Sequence, residues 1–144
     1  MTAAPPTQST VLFVCVSSAG KSVIAQGLMR HVATPQITAL SAGTRAKGAG
    51  NDMCAKVMAE MGIDVTAHQP TQLTDALISA VDLVVVVGTQ AQVESVGDTP
   101  VEVWDVDEPS SRGIDGIERM RLVRDDIAGR VTSLATRLAG PDPA

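Results

Sequence analysis

Tyrosine is absent from the chain, and its aromatic complement is one tryptophan, Trp104, and one phenylalanine, Phe13. A site that grips a planar ring between aromatic walls would have only these two rings to draw on. Cysteine is scarce as well. Cys15 and Cys54 are the only two, too few for a disulfide scaffold or a cysteine zinc cluster. Both thiols are expected to stay reduced, which points to a cytoplasmic protein. No apolar run approaches the roughly 20 residues that span a bilayer. Positive charge is in deficit, the net charge being −5, so neither a general nucleic-acid surface nor an anionic-membrane surface is expected. An anion site on such a chain must be local and built largely from backbone groups. Met1 to Thr10 lacks both a basic region and an apolar core, so it does not read as a secretory signal. Its Ala, Pro, Thr and Gln content suggests a short disordered lead-in.

What is present is ordinary globular material, 44% hydrophobic and 19% charged over 144 residues, enough for one domain with a real core. That domain is placed at 10–139, between a lead-in at 1–9 and a tail at 140–144. Val11–Val16 is a β-branched run that reads as a fully buried strand. Ser22 to about Val32 reads as a helix, stopped by Thr34-Pro35. Ile37–Ala42 is a second strand closed by Gly43. Asn51 or Asp52 caps a helix running to Met61, where Gly62 stops it; its apolar face is Cys54, Val57, Met58 and Met61. Thr71 to Ala80 reads as a shorter helix and Asp82–Val87 as the clearest strand. Gln90 to Val96 has the pattern of a short helix, and Val101–Trp104 of a last strand. Ile117, Met120, Val123, Ile127, Val131, Leu134 and Leu138 mark a long C-terminal helix. Strands alternating with helices predict an α/β fold, a parallel sheet covered on both faces in three layers. The site should then lie in the loops after the strands, which begin at Cys15, Gly43, Gly88 and Asp105.

The Cys15 loop carries the most chemistry. A strand, Val11-Leu12-Phe13-Val14, runs into Cys15 and the small-residue loop Val16-Ser17-Ser18-Ala19-Gly20-Lys21-Ser22, which opens a helix. Such a loop gathers backbone N–H groups and a helix N-terminus around an anion. The same field stabilises a thiolate at its first residue. Gly20-Lys21-Ser22 also matches the end of a Walker A loop. That template, however, wants a glycine where Cys15 stands, and no base-binding segment is visible. A simpler alternative is that Cys15 is a small buried residue at a strand end, but this leaves Ser-Ser-Ala-Gly-Lys-Ser without a packing rationale. The template C-x5-R-[ST] fits better. In it the cysteine attacks the central atom of a tetrahedral oxyanion. The N–H groups of Val16, Ser17, Ser18, Ala19, Gly20 and Lys21 hold the equatorial oxygens. The Lys21 cation offsets their charge, and Ser22 hydrogen-bonds the thiolate.

With those residues in view, the chain resembles the low-molecular-weight protein tyrosine phosphatase and arsenate reductase superfamily over nearly its whole length. The resemblance rests on the Cys15 loop, Ser41-Ala42-Gly43-Thr44 and Met61-Gly62-Ile63-Asp64-Val65 followed by His68 and Pro70. It also rests on Asp82-Leu83-Val84-Val85 and Trp104-Asp105-Val106-Asp107-Glu108-Pro109. It implies a four-stranded parallel sheet of order 2-1-3-4 with helices on both faces.

Three departures from the family pattern direct the reading. Lys21 stands where the loop arginine is usual, a point charge in place of a planar fork. The segment after the third strand, Gly88-Thr89-Gln90-Ala91-Gln92, has no resolving cysteine, and Cys54 lies on an apolar helical face that reads as core. The segment after the acidic Pro109 is Ser110-Ser111, without the tyrosines that flank a phosphotyrosyl ring. A small inorganic oxyanion therefore fits better than an aryl phosphate. The segments Asp107–Ile114 and Glu118–Ile127 are similar to the mycothiol-dependent arsenate reductases, the arsenate–mycothiol transferases of arsenic detoxification. That resemblance implies arsenate or phosphate as the bound oxyanion, mycothiol as external cosubstrate, a mycoredoxin-type reductant, and no bound cofactor or metal. Whether Cys15 or the external thiol attacks first is open at this point. So are a tyrosine phosphatase and a non-catalytic phosphate- or arsenate-binding relative.

Leaving-group protonation needs a carboxylic acid facing the loop. The family position falls on Glu108, and Asp107 is the neighbouring candidate. His68 reads as a structural hydrogen-bonding residue. Arg112, Arg119, Arg121 and Arg124 read as partners of acids such as Glu118, Asp125 and Asp126 on an exposed face, with a role in holding an anionic or polar cosubstrate as the alternative.

Overall fold

The computed structural model of the chain describes residues 9–18, 20–32, 36–46 and 52–139. The lead-in and the tail lie outside these residues, except that Ser9 already pairs with Ile37 and opens the first strand. Thr34-Pro35, Ala19 and Asn51 are also outside them.

Four parallel strands form the sheet: β1 (Ser9–Cys15), β2 (Ile37–Gly43), β3 (Leu83–Val87) and β4 (Val101–Trp104), in the order β2-β1-β3-β4. This is the 2-1-3-4 order that the sequence resemblance implies. The helices are α1 (Lys21–Val32), α2 (Asp52–Ala59), α3 (Asp75–Ser79) and α4 (Gly116–Ala139), with a single 3-10 turn at Pro109–Arg112. Successive side chains of a strand face opposite ways, and β1 shows why its run is apolar throughout. Val11 and Phe13 enter a core shared with α1, α2 and α4, whereas Leu12 and Val14 enter a second core with Ile78 of α3. From Val11 to Val14 neither face of β1 meets water, as expected of a central parallel strand. Along α4, Met120, Val123, Ile127, Val131 and Leu134 form the buried stripe against the first core, spaced at the three- and four-residue steps of an amphipathic helix.

Several elements differ from the sequence expectation. The α2 helix ends at Ala59, and its end is closed by Ile63 N–H donating to Met58 O and Gly62 N–H donating to Ala59 O, with Gly62 at φ +75°. That paired closure needs a left-handed residue, which glycine supplies without strain. It leaves Met61 38% exposed instead of on the buried face. The expected helix from Thr71 starts only at Asp75. Thr71 O accepts from Gly43 N–H, and Leu73 N–H donates to Gly43 O, so this stretch is spent extending the sheet edge. Thr74 then caps α3 by accepting from Leu77 N–H. The segment from Gln90 to Val96 is not helical. Ala91, Val93 and Val96 instead pack onto the second core.

Gly43 ties the fold to the loop after β1. A β-carbon there would stand 2.6 Å from both Ser18 N and Val16 O. Thr44 N–H donates to Cys15 O and Arg45 N–H to Val16 O. The end of β2 therefore clamps the start of the loop, and only glycine permits the approach.

Candidate active site

Cys15 ends β1 and is 7% exposed. Its Sγ and the Ser22 Oγ are hydrogen-bonded at 3.1 Å. Burial pushes the thiol pKa up, but the Ser22 hydroxyl and the backbone amides of Ser22, Ser18 and Gly20 outweigh it and hold the pKa below the ordinary thiol value. The thiolate is thus stabilised by donors that cost no reorganisation when charge appears. Val23 and Ile24 N–H both donate to Gly20 O, so α1 begins directly at the loop and its positive end faces the sulfur.

The loop backbone is fixed by a chain of hydroxyls. Ser22 Oγ lies 2.9 Å from Ser41 Oγ, Ser41 Oγ lies 3.1 Å from Ser18 Oγ, and Thr71 N–H donates to Ser18 Oγ at 3.3 Å. The amide at one end can only donate and the thiolate at the other can only accept. One orientation satisfies every link: Ser18 donates to Ser41, Ser41 to Ser22, and Ser22 to the sulfur. Ser18 itself is left-handed, at φ 56°, a conformation that costs a serine about 1–3 kcal/mol and persists where its surroundings impose it. His68 Nε2 lies 2.7 Å from Ser18 O. A carbonyl only accepts, so Nε2 carries the proton. His68 thus occupies the structural position expected of it.

Lys21, Glu108 and Arg119 meet on the far wall. Lys21 Nζ is 3.3 Å from Glu108 Oε1, and Arg119 grips Glu108 through Nε to Oε2 at 2.7 Å and Nη2 to Oε1 at 2.8 Å. Gly88, at φ +96°, lies against the lysine stem, where a β-carbon would stand 3.3 Å from Nζ. The Arg119 fork holds the Glu108 carboxyl well below the usual carboxylate range against some opposition from burial, with help from the Ser110 hydroxyl and the Lys21 charge. Asp107 turns away to Arg112, which binds it at 2.7 and 3.0 Å and likewise lowers its pKa. Both acid candidates are therefore ionised and paired with arginine in this state. A cavity of about 180 Å³ opens between the loop and α4; Cys15, Val16, Ser17, Gly20, Lys21 and Arg119 are among its walls. Among the described residues, no aromatic side chain lines it. Phe13 and Trp104 are spent on each other in the core, ring centroids 5.7 Å apart.

The structure thus brings Cys15, Val16, Ser17, Ser18, Gly20, Lys21, Ser22 and Glu108 together, and sets Asp107 to one side; Ala19 is outside the described residues. Cys54 is 1% exposed, and burial, with the nearby Cys15, pushes its thiol up to about 12. Of the arginines, Arg121 and Arg124 both pair with Glu60, and Arg124 also with Asp125. Glu60 is on the turn after α2 and was not among the acids expected to hold them. In the sequence Ser41 and Thr71 stand only as parts of longer segments, with nothing in the two residues themselves marking them. Their convergence on the loop depends on the β2 crossover, and Gly43, two residues after Ser41, is the local signal. Among the described residues, no group of three or more His, Cys, Asp or Glu side chains is placed to hold a metal ion, and no helix is long and apolar enough to cross a membrane.

A cysteine held below its ordinary pKa where a strand runs through a small-residue loop into a helix, on a parallel sheet covered on both faces, is an arrangement able to hold an anion beside a thiolate. Residues 10–141 match the family described as low molecular weight phosphotyrosine protein phosphatase. The chain belongs to that family. Similar proteins are named both as phosphatases and as arsenate reductases. A protein from Ralstonia solanacearum named "Probable low molecular weight protein-tyrosine-phosphatase EpsP" is 32% identical over 69% of this chain and 77% of its own length. Arsenate reductase 1 of Staphylococcus epidermidis is 26% identical over 91% of this chain and 98% of its own. The solved structure of the Corynebacterium glutamicum thioredoxin-dependent arsenate reductase Cg_ArsC1' superposes with a TM-score of 0.76 at 26% identity, covering 94% of this chain and 64% of that longer one.

Proposed function

We propose that the protein is an arsenate reductase of the arsenate–mycothiol transferase type, drawing its second thiol from solution. The observation that carries this reading is a small pocket with one activated thiol and no ring-binding wall. The Cys15 thiol is held below its ordinary pKa, whereas Cys54 is buried with its thiol pushed up to about 12. These are the only cysteines of the chain, so a relay through a further internal cysteine is not available.

In this reading the loop holds arsenate by its backbone N–H groups and Lys21. A thiol sulfur bonds to arsenic and one arsenate oxygen departs as water. The thiol that forms this bond is Cys15 or mycothiol itself; in the second route Cys15 acts as a positioning and electrostatic group. A further thiol then attacks the sulfur of the arsenic adduct: mycothiol where Cys15 carries the arsenic, with the mycoredoxin-type partner reducing the resulting mixed disulfide, and the partner's own thiol where mycothiol carries it. The S–As bond breaks, its electron pair stays on arsenic, and the products are arsenite and a mixed disulfide. Two thiols are oxidised and arsenic gains two electrons. Arsenite formation from arsenate, measured with mycothiol and mycoredoxin and with each left out, tests the proposal. Turnover that ignores the external thiol, or that is unchanged in Cys15→Ser, overturns it.

A phosphatase is the second reading, favoured by the 32% identity to the Ralstonia protein and by the thiolate geometry, which serves phosphate equally. Thiol-independent hydrolysis of an aryl phosphate at a useful rate would select it. Phosphate binding with neither activity would leave a non-catalytic oxyanion-binding relative.

A further inference from the structure

The thiolate and the oxyanion expected above it place at least two negative charges in one small cavity. The loop itself brings a single side-chain cation, Lys21. That cation is a point charge and is already drawn to Glu108 at 3.3 Å. Across the cavity, α4 delivers Arg119, which lines the same space as Cys15 and Lys21 and is 29% exposed. Glu108 occupies its Nε and Nη2 edge. The only hydrogen-bond partner of the remaining nitrogen, Nη1, among the described residues is the Met120 thioether, at 3.5 Å, while the Asp115 charge acts on the guanidinium without a hydrogen bond to it. A thioether is a weak acceptor, so a strong donor is left with an inadequate partner beside the anion site.

We infer that Arg119 is a second oxyanion-binding residue, oriented by Glu108 so that Nη1 is presented to the anion seated over Cys15. The guanidinium that the loop lacks at position 21 is thereby supplied from α4. Glu108 acts here as the positioning residue: it accepts along one edge of the guanidinium and fixes the direction of the other. The inference rests on the oxyanion-site reading above but concerns binding, which can be measured without any turnover.

Calorimetric titration of the full chain with inorganic phosphate tests it. Losing a charge-assisted donor should raise the phosphate Kd of Arg119→Met by roughly tenfold or more. Arg119→Lys should fall between, because it keeps the charge and loses the fork. Lys21→Arg placed on Arg119→Met should recover part of the loss, since it returns a planar donor from the loop side. If Arg119 only braces the Glu108 turn, Arg119→Met lowers the melting temperature but leaves the phosphate Kd unchanged, and that overturns the inference. Should Arg119→Met fail to fold, Arg119→Lys carries the test, and a phosphate Kd equal to that of the unsubstituted protein overturns it. Phosphate binding that ignores Arg119 defeats this inference and leaves the proposed reductase intact. Binding that depends on Arg119, without arsenate turnover, supports this inference and defeats the reductase. No phosphate binding by the unsubstituted protein overturns both.

Discussion

Ser22 Oγ lies 3.1 Å from Cys15 Sγ and is the last link of the hydroxyl chain that begins at the Thr71 amide. The sulfur is buried, so without that donor the cost of desolvation would dominate. Ser22→Ala should therefore raise the Cys15 pKa to the ordinary thiol value or above it. A lost hydrogen bond to a charged group is worth about 1.5–3 kcal/mol, equivalent to about one to two pKa units. The rate of iodoacetamide alkylation against pH reads the shift directly. An unmoved inflection would show that the backbone amides alone hold the thiolate.

Gly43→Ala should disrupt the loop instead of merely loosening a strand. Its β-carbon would meet Ser18 N and Val16 O at 2.6 Å, both backbone atoms that cannot swing aside. Overpacking of this kind costs about 1–3 kcal/mol, and here the displaced atoms belong to the anion cradle. Chemical denaturation should show the stability loss, and phosphate titration should show weakened binding beyond it. Unchanged phosphate affinity would contradict the clamp.

Thiol labelling should be strictly unequal. Hydrogen bonds hold the Cys15 thiol below its ordinary pKa, whereas burial and the neighbouring Cys15 push Cys54 up to about 12. Near neutral pH, native protein should take one alkyl group, at Cys15, and a second only after denaturation. Peptide mass spectrometry checks this, and rapid native labelling of Cys54 would contradict it.

Acid should expose the surface pairing of α2 with α4. Arg121 and Arg124 hold the Glu60 carboxyl at about 2, below its ordinary range. A depressed carboxyl contributes stability that is fully present above its unfolded value and is lost as the pH falls from there through about 2. Glu60 is exposed, so salt screens the contribution. Melting temperature against pH should fall less steeply in that acid window for Glu60→Gln than for the unsubstituted chain, and only at low salt. A difference that persists at high salt would contradict an exposed pair.

Much of the fold was legible because burial on both faces leaves an unambiguous mark. Val11-Leu12-Phe13-Val14 and Leu83-Val84-Val85-Val86-Val87 are apolar at every position, and the alternation with helices then leaves little choice of architecture. The Cys15 loop was legible because its small residues have no packing use. The stretch from Thr71 to Leu73 was misread because its amide and carbonyl groups are claimed by Gly43, nearly thirty positions earlier, and no local pattern announces that. Gln90–Val96 was misread for a related reason: Ala91, Val93 and Val96 pack individually onto the second core without needing a helix. The hydroxyl chain of Ser18, Ser41 and Ser22 joins three segments that only the parallel pairing of β1 and β2 brings together. The Arg119–Glu108 fork depends on the angle at which α4 returns across the sheet.

The central claim is that this site carries one reactive thiol and borrows the second. The most direct measurement is arsenite produced from arsenate by the full chain, with mycothiol and mycoredoxin supplied together and each withheld in turn. The account predicts arsenite only when both are present, and its loss in Cys15→Ser. Arsenite formation with a thioredoxin system alone, or rapid aryl phosphate hydrolysis without any thiol and no arsenite under any condition, would contradict it.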